Sequence, residues 1–267
     1  MPHQAAPDAT PATLHLLPTP LDHGCQPLVP LGDVLPQALI ERAARLNYWI
    51  SENARSTRAF LKRVDAICPL AQPLQTLHIA ELPRAAHKQG DHAGARGRAP
   101  AFDAAALLAP ALAGHDMALV SEAGLPAVAD PGSSIVRAAH AAGVRVQPWP
   151  GPSALLLALA ASGLNGQNFA FVGYLPQDAA ARAQRIRALE ALAVKTGQTQ
   201  LFIETPYRNA ALLHALAHTL QAGTRLSISQ GLTLPDARTR CLSAAQWRRI
   251  PPGEALTRAP AVFAIGQ

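Results

Sequence analysis

Residues 120–134, VSEAGLPAVADPGSS, decide the fold class because they join a short apolar segment to an amphipathic one. Residues 117–120 predict a buried strand, and residues 135–142 carry apolar side chains at helical spacing. Asp130 followed by Pro131 is typical of a helix N-cap with proline at the first helical position. We therefore predict a strand-to-helix loop, and such loops at the carboxyl ends of parallel strands are where α/β proteins bind ligands.

Strand and helix patterns alternate along the rest of the chain, which predicts an α/β protein with parallel strands. The first half predicts strands at residues 14–17, 48–51, 74–79, 117–120 and 144–148, and helices at 33–45, 57–64, 103–113 and 135–142. The second half predicts strands at 169–173, 201–204, 225–229 and 261–265, and helices at 152–163, 182–192 and 206–220. We predict a disordered N-terminus at residues 1–12, an N-terminal α/β domain at 13–150 and a C-terminal α/β domain at 151–267.

The composition predicts two domains with sizeable cores and a basic surface. Hydrophobic residues make up 49% of the 267 residues, which suffices for two modest domains. Lys and Arg total 23 against 17 for Asp and Glu. The one local cluster of basic residues lies at residues 84–98, in a predicted loop. The excess fits a polyanionic partner and fits ordinary background equally well, since charged residues are only 15% of the chain.

Several classes of site and location are disfavoured by what the sequence lacks. The cysteines Cys25, Cys68 and Cys241 are scattered without C-x-x-C spacing, so we expect neither a disulfide framework nor a metal site. No segment approaches the ~18 apolar residues of a membrane span, and the first residues do not resemble a signal peptide. We therefore expect a cytoplasmic protein without a membrane partner. The absence of G-x-G-x-x-G, P-loop and H-E-x-x-H motifs disfavours common dinucleotide enzymes, nucleotide hydrolases and zinc hydrolases.

The motifs that remain follow the predicted strands, and their order resembles one known family. They are PTP at 18–20, ENAR at 52–55, SEAGLP at 121–126, PGPSA at 150–154, FAFVGYLP at 169–176, LFIETPYR at 201–208 and GLT at 231–233. In this order they resemble the tetrapyrrole methylase superfamily, and within it the branch of small-subunit ribosomal RNA 2'-O-methyltransferases. The resemblance implies two consecutive α/β domains, a cofactor cleft between them, a homodimer, and S-adenosylmethionine as cofactor.

The resemblance also implies a set of cofactor contacts. By matching motif they are Pro18, Ser121, Gly124, Leu125, Val128, Ser153, Ala154, Glu204, Leu232 and Ala261. Gly124 allows the main chain to approach a ligand closely, and Ser153, near a helix start, offers a hydroxyl and an N–H group. Taken singly, these residues are equally compatible with core, turn or capping roles.

The substrate side departs from the pattern of the ribosomal RNA branch. Where that branch has SDAGTP, EDTR, basic residues after F-L-P, and ELTK, this chain has Leu125, Asn53, Gln177 and Leu234 at the altered positions. Methylating a ribose hydroxyl benefits from a general base, and Glu52 and Glu122 are our candidates. A surface ion pair between Glu52 and Arg55 explains Glu52 equally well.

Three functions therefore remain open. The first is an S-adenosylmethionine-dependent methyltransferase acting on ribosomal RNA or the small ribosomal subunit. The second is a methylase of a small, tetrapyrrole-like molecule, and the third is a paralogue that binds cofactor or RNA with weakened catalysis. The charge balance favours RNA over a small acceptor, whereas the substrate-side departures predict reduced or redirected activity.

Overall fold

The computed structural model describes residues 12–22, 28–83, 102–251, 254, 256–257 and 259–267. The predicted basic loop at 84–98 and nearly all of the predicted disordered N-terminus lie outside these residues. The chain divides into two compact units, Met1–Pro152 and Ser153–Gln267, and each is described by itself. The domain boundary after residue 150 and the interdomain cofactor cleft stay predictions.

The first unit contains a parallel five-stranded sheet, which confirms the predicted α/β class. Its strands are β1 (Thr13–Leu16), β2 (Tyr48–Ser51), β3 (His78–Glu81), β4 (Met117–Val120) and β5 (Arg145–Pro148). The strand order is β3-β2-β4-β1-β5, and every pairing is parallel. Strands β1, β2 and β4 therefore end side by side, and the loops that follow them meet at one edge of the sheet.

Helices cover both faces of this sheet because neighbouring residues in a strand point to opposite sides. The helices are α1 (Leu31–Val34), α2 (Gln37–Arg45), α3 (Ala54–Asp65), α4 (Ala109–Leu112) and α5 (Ser133–Ala141). Trp49 packs in one core cluster with residues of α2 and α3, whereas the next residue, Ile50, packs in the other with Ile135 of α5. With both faces buried, the loops at the strand ends are left for function.

At two of the helix boundaries that differ from the sequence prediction, proline or glycine decides the local conformation. The helix expected at 33–45 is split, since Leu35 precedes Pro36 and adopts an extended conformation. The start predicted at Asp130 and Pro131 is wrong, because α5 begins at Ser133 with Gly132 as its N-cap. Gly132 has φ +138°, and a Cβ there would lie 3.0 Å from the Leu119 side chain, so only glycine fits.

The second unit is also α/β, but its sheet is mixed. Its strands are β6 (Phe169–Tyr174), β7 (Thr199–Glu204), β8 (Arg225–Gln230), β9 (Arg238–Ser243) and β10 (Ala261–Gly266), in the order β6-β7-β10-β8-β9. Strand β10 is antiparallel to β7 and β8, and β9 is antiparallel to β8. The sequence prediction missed β9, a charged edge strand whose exposed Arg238 and half-buried Arg240 lack the apolar alternation of an ordinary strand.

Both faces of the second sheet are buried as well. The helices of this unit are α6 (Ala154–Ser162), α7 (Ala179–Thr196), α8 (Asn209–Thr219) and α9 (Ala244–Trp247). Leu201 and Val262 pack against α6, whereas their neighbours Phe202 and Phe263 stack on each other and pack with α7 and α8. Among the residues that the structure describes, no helix is long and apolar enough to cross a membrane.

Candidate active site

The structure brings the predicted site residues of the first unit to one edge of its sheet. Pro18 lies just beyond β1, Glu52 follows β2, and Ser121 follows β4. These three strands are adjacent and parallel, so their carboxyl ends meet. The sequence motifs PTP, ENAR and SEAGLP thus belong to neighbouring loops, as parallel topology requires.

Gly124 joins the β4 loop to the β1 loop through its main chain. The Gly124 nitrogen donates to the Thr19 carbonyl and the Thr19 nitrogen donates to the Gly124 carbonyl, both at 3.0 Å. Gly124 has φ +82°, and a Cβ there would meet the Leu21 side chain at 3.1 Å. Glycine is therefore required here by conformation and by space, and not only by the close approach of a ligand.

Gly151 plays a similar part for the segment that leaves β5. A Cβ on Gly151 would lie 2.6 Å from the Cβ of Pro18, well inside van der Waals contact. The predicted cofactor residue Pro18 is thus held against the main chain of the PGPSA motif. This close approach explains why a glycine precedes Pro152.

Ser121 holds the β4 loop together with its side chain and main chain. Its hydroxyl is buried and lies 3.3 Å from the Gly124 carbonyl, and its own carbonyl accepts from the Thr19 hydroxyl at 3.2 Å. The same hydroxyl hydrogen-bonds the carboxyl group of Asp130. Ser121, predicted as a cofactor contact, therefore spends its side chain on the shape of the loop.

Glu52 and Glu122, the candidate bases, are joined in one network. The Glu122 nitrogen donates to Oε2 of Glu52 at 3.0 Å, and the Asn53 amide nitrogen donates to Oε1 of Glu122 at 2.5 Å. Glu52 is half-buried and Glu122 is exposed. Arg55 forms no ion pair with any described residue, so the alternative of a Glu52–Arg55 pair is wrong.

Asn53 explains one of the departures from the family pattern. Its Oδ1 accepts from the nitrogens of Arg55 and Ser56, so it is the N-cap of α3. Asparagine and aspartate cap helices about equally well, so the cap is retained. The amide adds a donor to Glu122, whereas an aspartate there would place a second negative charge against it.

Two further departures also have structural roles. Gln177 accepts from Arg182 through its main-chain carbonyl at 3.0 Å. The next residue, Asp178, is the N-cap of α7, with its Oδ1 accepting from the Ala181 nitrogen at 2.8 Å. Leu234 is buried and closes the turn after β8 through its nitrogen, which donates to the Gly231 carbonyl. Both positions serve the fold of the second unit.

Asp130 is a site residue that the sequence analysis took for a helix cap. Burial first, and then the charges of Glu52 and Glu122, raise its pKa from 3.8 to about 7, against the hydrogen bond from Ser121, which lowers it. Asp130 therefore holds a proton over much of the range below neutral pH. The only hint of this role in the sequence is that Asp130 belongs to the SEAGLPAVADPG loop. Its position beside the two glutamates arises only when the chain folds. Although three carboxylates approach here, no metal-binding group of His, Cys, Asp or Glu is found in the described part of the chain.

The tip of the same loop has an unusual backbone around the predicted contacts Leu125 and Val128. Ala127 and Ala129 adopt φ values of 64° and 65°, a left-handed conformation that costs energy for residues other than glycine. Val128, between them, exposes 39% of its surface. The loop thus presents an apolar side chain from a strained backbone, a pattern common at ligand-binding sites.

A cleft of about 540 Å³ opens beside these residues. Its lining comprises Thr19, Pro20, Asp22, Leu28, Asn53, Arg55, Ser56, Thr57, Ala59, Phe60, Arg63, Ser121 and Glu122. This volume lies within the range of small-ligand sites and leaves room for one nucleoside. Of the two candidate bases, Glu122 lines this cleft and Glu52 does not.

In the second unit, Ser153 and Ala154 lie where α6 begins. Ser153 is the N-cap residue of α6, but its buried side chain makes no capping hydrogen bond within the described residues, so side-chain capping does not account for this serine. The first N–H groups of α6 therefore keep no partner within the helix. A helix start of this kind suits an anionic group such as the carboxylate of S-adenosylmethionine, and the residues present fit that cofactor.

The remaining predicted contacts of the second unit are Leu232, Ala261 and Glu204. Leu232 packs in the same cluster as Ala154, and Ala261 pairs with Glu204 across β10 and β7. The Glu204 carboxylate accepts from Arg208 at 2.6 Å and from the Thr205 nitrogen at 2.7 Å. Glu204 is thus occupied by its own loop, and Ala261 is buried in the core of the second unit.

Comparison with known proteins agrees with this geometry. A family model for Tetrapyrrole (Corrin/Porphyrin) Methylases matches residues 54–245. A protein of Xylella fastidiosa (strain Temecula1), Ribosomal RNA small subunit methyltransferase I, is 35% identical over 221 residues, covering 82% of this chain and 68% of that protein. The crystal structure of the methyltransferase CobJ superposes with a TM-score of 0.53 at 18% identity, covering 96% of this chain and 93% of that one.

A second solved structure was determined with a product of methyl transfer. It is uroporphyrin-III C-methyl transferase from Thermus thermophilus complexed with S-adenyl homocysteine, with a TM-score of 0.52 at 16% identity, covering 96% of this chain and 97% of that one. Fold and family together define an S-adenosylmethionine-dependent methyltransferase. The chain belongs to the tetrapyrrole methylase family.

Proposed function

We propose that this enzyme methylates a ribose hydroxyl of small-subunit ribosomal RNA. The relative of Xylella fastidiosa, named for that substrate, supports the choice of acceptor. The observation that carries the chemistry is Glu122, which lines a cleft of nucleoside size and is held by two neighbouring residues. A carboxylate fixed at such a cleft can accept the proton that a ribose hydroxyl must lose.

The proposed mechanism assigns one task to each residue of the network. When bound, S-adenosylmethionine supplies a methyl group on a positively charged sulfur that departs as a neutral thioether. Glu122 would accept the proton that the ribose hydroxyl loses when its oxygen takes the methyl group. Asn53 holds Oε1 of Glu122, and Glu52 fixes the Glu122 main chain. Glu52 is thus a positioning residue, and positioning supplies most of the acceleration in such a displacement.

For the cofactor, we propose contacts with both main chain and apolar side chains. In the first unit they are Pro18, Gly124, Leu125 and Val128, with Ser121 shaping the loop. In the second unit they are Ser153, Ala154, Leu232 and Ala261, with Glu204 shaping the loop. The start of α6 and the exposed Val128 support this assignment, because one suits an anion and the other an apolar ring.

Two properties of the whole protein complete the proposal. We propose a cytoplasmic enzyme, because its proposed substrate is ribosomal RNA. We also propose a homodimer, on the strength of the family resemblance. Light scattering at micromolar concentration tests the dimer, and a monomer across that range would contradict it.

Transfer of tritiated methyl groups to small ribosomal subunits that lack the modification tests the proposed function. We expect the unaltered protein to label the RNA and Glu122→Gln to reduce the rate by about 100-fold or more, with cofactor affinity kept. Glu41→Gln, the same change at an exposed residue of α2, is the matched control. Unlabelled RNA with the unaltered protein would point instead to a small, tetrapyrrole-like acceptor or to lost catalysis.

A further inference from the structure

Helix α3 presents a row of positive charges on its exposed face. Its buried face comprises Ala54, Thr57, Phe60, Leu61 and Val64. On the opposite side Arg55, Arg58 and Lys62 are all exposed, at helical positions i, i+3 and i+7. We call these three residues the α3 basic stripe.

The charges of the stripe are not neutralised by the described part of the chain. None of the three side chains forms an ion pair or a hydrogen bond with a described residue. Arg63, on the same helix, behaves differently, because it binds Asp22 and the Val29 carbonyl, each at 2.6 Å. Arg63 therefore holds the fold together, whereas the stripe keeps its charge for a partner.

The stripe begins at the candidate active site. Arg55 lines the same cleft as Glu122, and Ser56 and Ala59 of α3 line it too. Arg58 and Lys62 do not line the cleft themselves; they lie on the exposed face of the same helix, beside its lining residues. A strand of nucleic acid with one nucleoside in the cleft would therefore have neighbouring phosphates within reach of the helix.

The length of the stripe suits a nucleic-acid backbone. Seven residues of α-helix rise about 10 Å from Arg55 to Lys62. Along the axis of a DNA duplex each strand carries one phosphate per about 3.4 Å, so a strand with a similar rise would place about three phosphates along that distance. The number of cations matches the number of phosphates that they face.

From these observations we propose that the α3 basic stripe binds the phosphates that flank the target nucleotide of an RNA strand. This inference rests on the proposed function, since it assumes an RNA acceptor at Glu122. It assigns RNA binding to α3, a helix that overlaps the family motifs only in its first residues. Phosphate contacts position the strand and carry no sequence information of their own.

The salt dependence of RNA binding tests the proposal. The triple variant Arg55→Gln, Arg58→Gln, Lys62→Gln is compared with the unaltered protein, using unmodified small ribosomal subunits and a short single-stranded RNA as probes. Three lost phosphate contacts should reduce the slope of log affinity against log salt by about 2 for the single strand. Affinity for S-adenosylhomocysteine should not change, which shows that the variant is folded and keeps its cofactor site.

Control variants distinguish the effect of the α3 basic stripe from the effect of removing positive charge elsewhere on the protein. Arg45→Gln removes one exposed cation at the end of α2, before β2 begins, and should leave the slope unchanged. Arg58→Glu is a single change outside the cleft lining and should weaken RNA binding more than Arg58→Gln does. This pair keeps the test decisive if the triple variant does not fold.

The outcomes distinguish this inference from the proposed function. A reduced slope with unchanged cofactor affinity supports the stripe. RNA methylation by the unaltered protein combined with an unchanged slope in the triple variant overturns the stripe and leaves the proposed function standing. If the unaltered protein neither binds nor methylates RNA, both are overturned.

Discussion

Replacing Asp130 with asparagine should change how stability depends on pH. In the folded chain, burial and the charges of Glu52 and Glu122 raise the pKa of Asp130 from 3.8 to about 7. A carboxyl group whose pKa is raised by folding stabilises the folded state below its unfolded pKa, and that stabilisation is lost as the pH rises through the folded pKa. Asparagine cannot ionise, so Asp130→Asn removes this contribution.

The magnitude follows from the two pKa values. Between about pH 5 and about pH 8, proton linkage with pKa values of 3.8 and about 7 lowers the free energy of unfolding by about 2.5 kcal/mol. This is the part of the pH dependence that Asp130→Asn should remove. His15 titrates in the same range with the opposite sign, because burial lowers its pKa, but it is present in both proteins and cancels in the comparison.

Urea unfolding followed by circular dichroism at both pH values measures the effect. Asp33→Asn, the same change at an exposed carboxylate of α1, is the matched control. As the pH rises from about 5 to about 8, the free energy of unfolding of Asp130→Asn should fall by about 2.5 kcal/mol less than that of the unaltered protein. Equal losses in the variant and the unaltered protein would refute the claim that Asp130 is held protonated by its surroundings.

Two more substitutions test the site. Asn53→Asp keeps the α3 cap but places a second carboxylate against Glu122. The pH–rate profile of methyl transfer should therefore move to higher pH. An unmoved profile would mean that the Asn53 amide does not influence the protonation of Glu122. Gly151→Ala should destabilise the first unit by about 1–3 kcal/mol in urea unfolding, because the added Cβ overlaps Pro18. Gly166→Ala is its control, because a Cβ added at Gly166 would meet no neighbouring atom within 4 Å. Equal losses in the free energy of unfolding of both variants would contradict the packing argument.

The sheet edge that carries the site was predictable because its signals are local. Residues 48–51 and 117–120 are short apolar runs followed by polar loops, and parallel topology brings the ends of such strands together. The shared location of the loops at Glu52, Ser121 and Gly124 is therefore predictable from the sequence alone. The hydrogen bond from the Glu122 nitrogen to Glu52 was not predictable, since it depends on the register of β2 and β4.

Asp130 and Asn53 show where sequence reasoning failed and why. Aspartate before proline is a strong local capping signal, but the protonation of Asp130 depends on burial and on glutamates from distant parts of the chain. Asn53 was interpreted as the loss of a charged group, yet it caps α3 and donates to Glu122. In both cases the residue type was visible, but its partners were fixed only by tertiary contacts.

The identity of the methylated atom tests the central claim most directly. Small ribosomal subunits that lack the modification are incubated with the unaltered protein and S-adenosylmethionine, and their RNA is digested to nucleosides for mass spectrometry. We predict a nucleoside that carries the new methyl group on its sugar, and a loss of that product with Glu122→Gln. A methyl group on a base, or RNA left unmodified while a small tetrapyrrole-like molecule is methylated, would contradict the account.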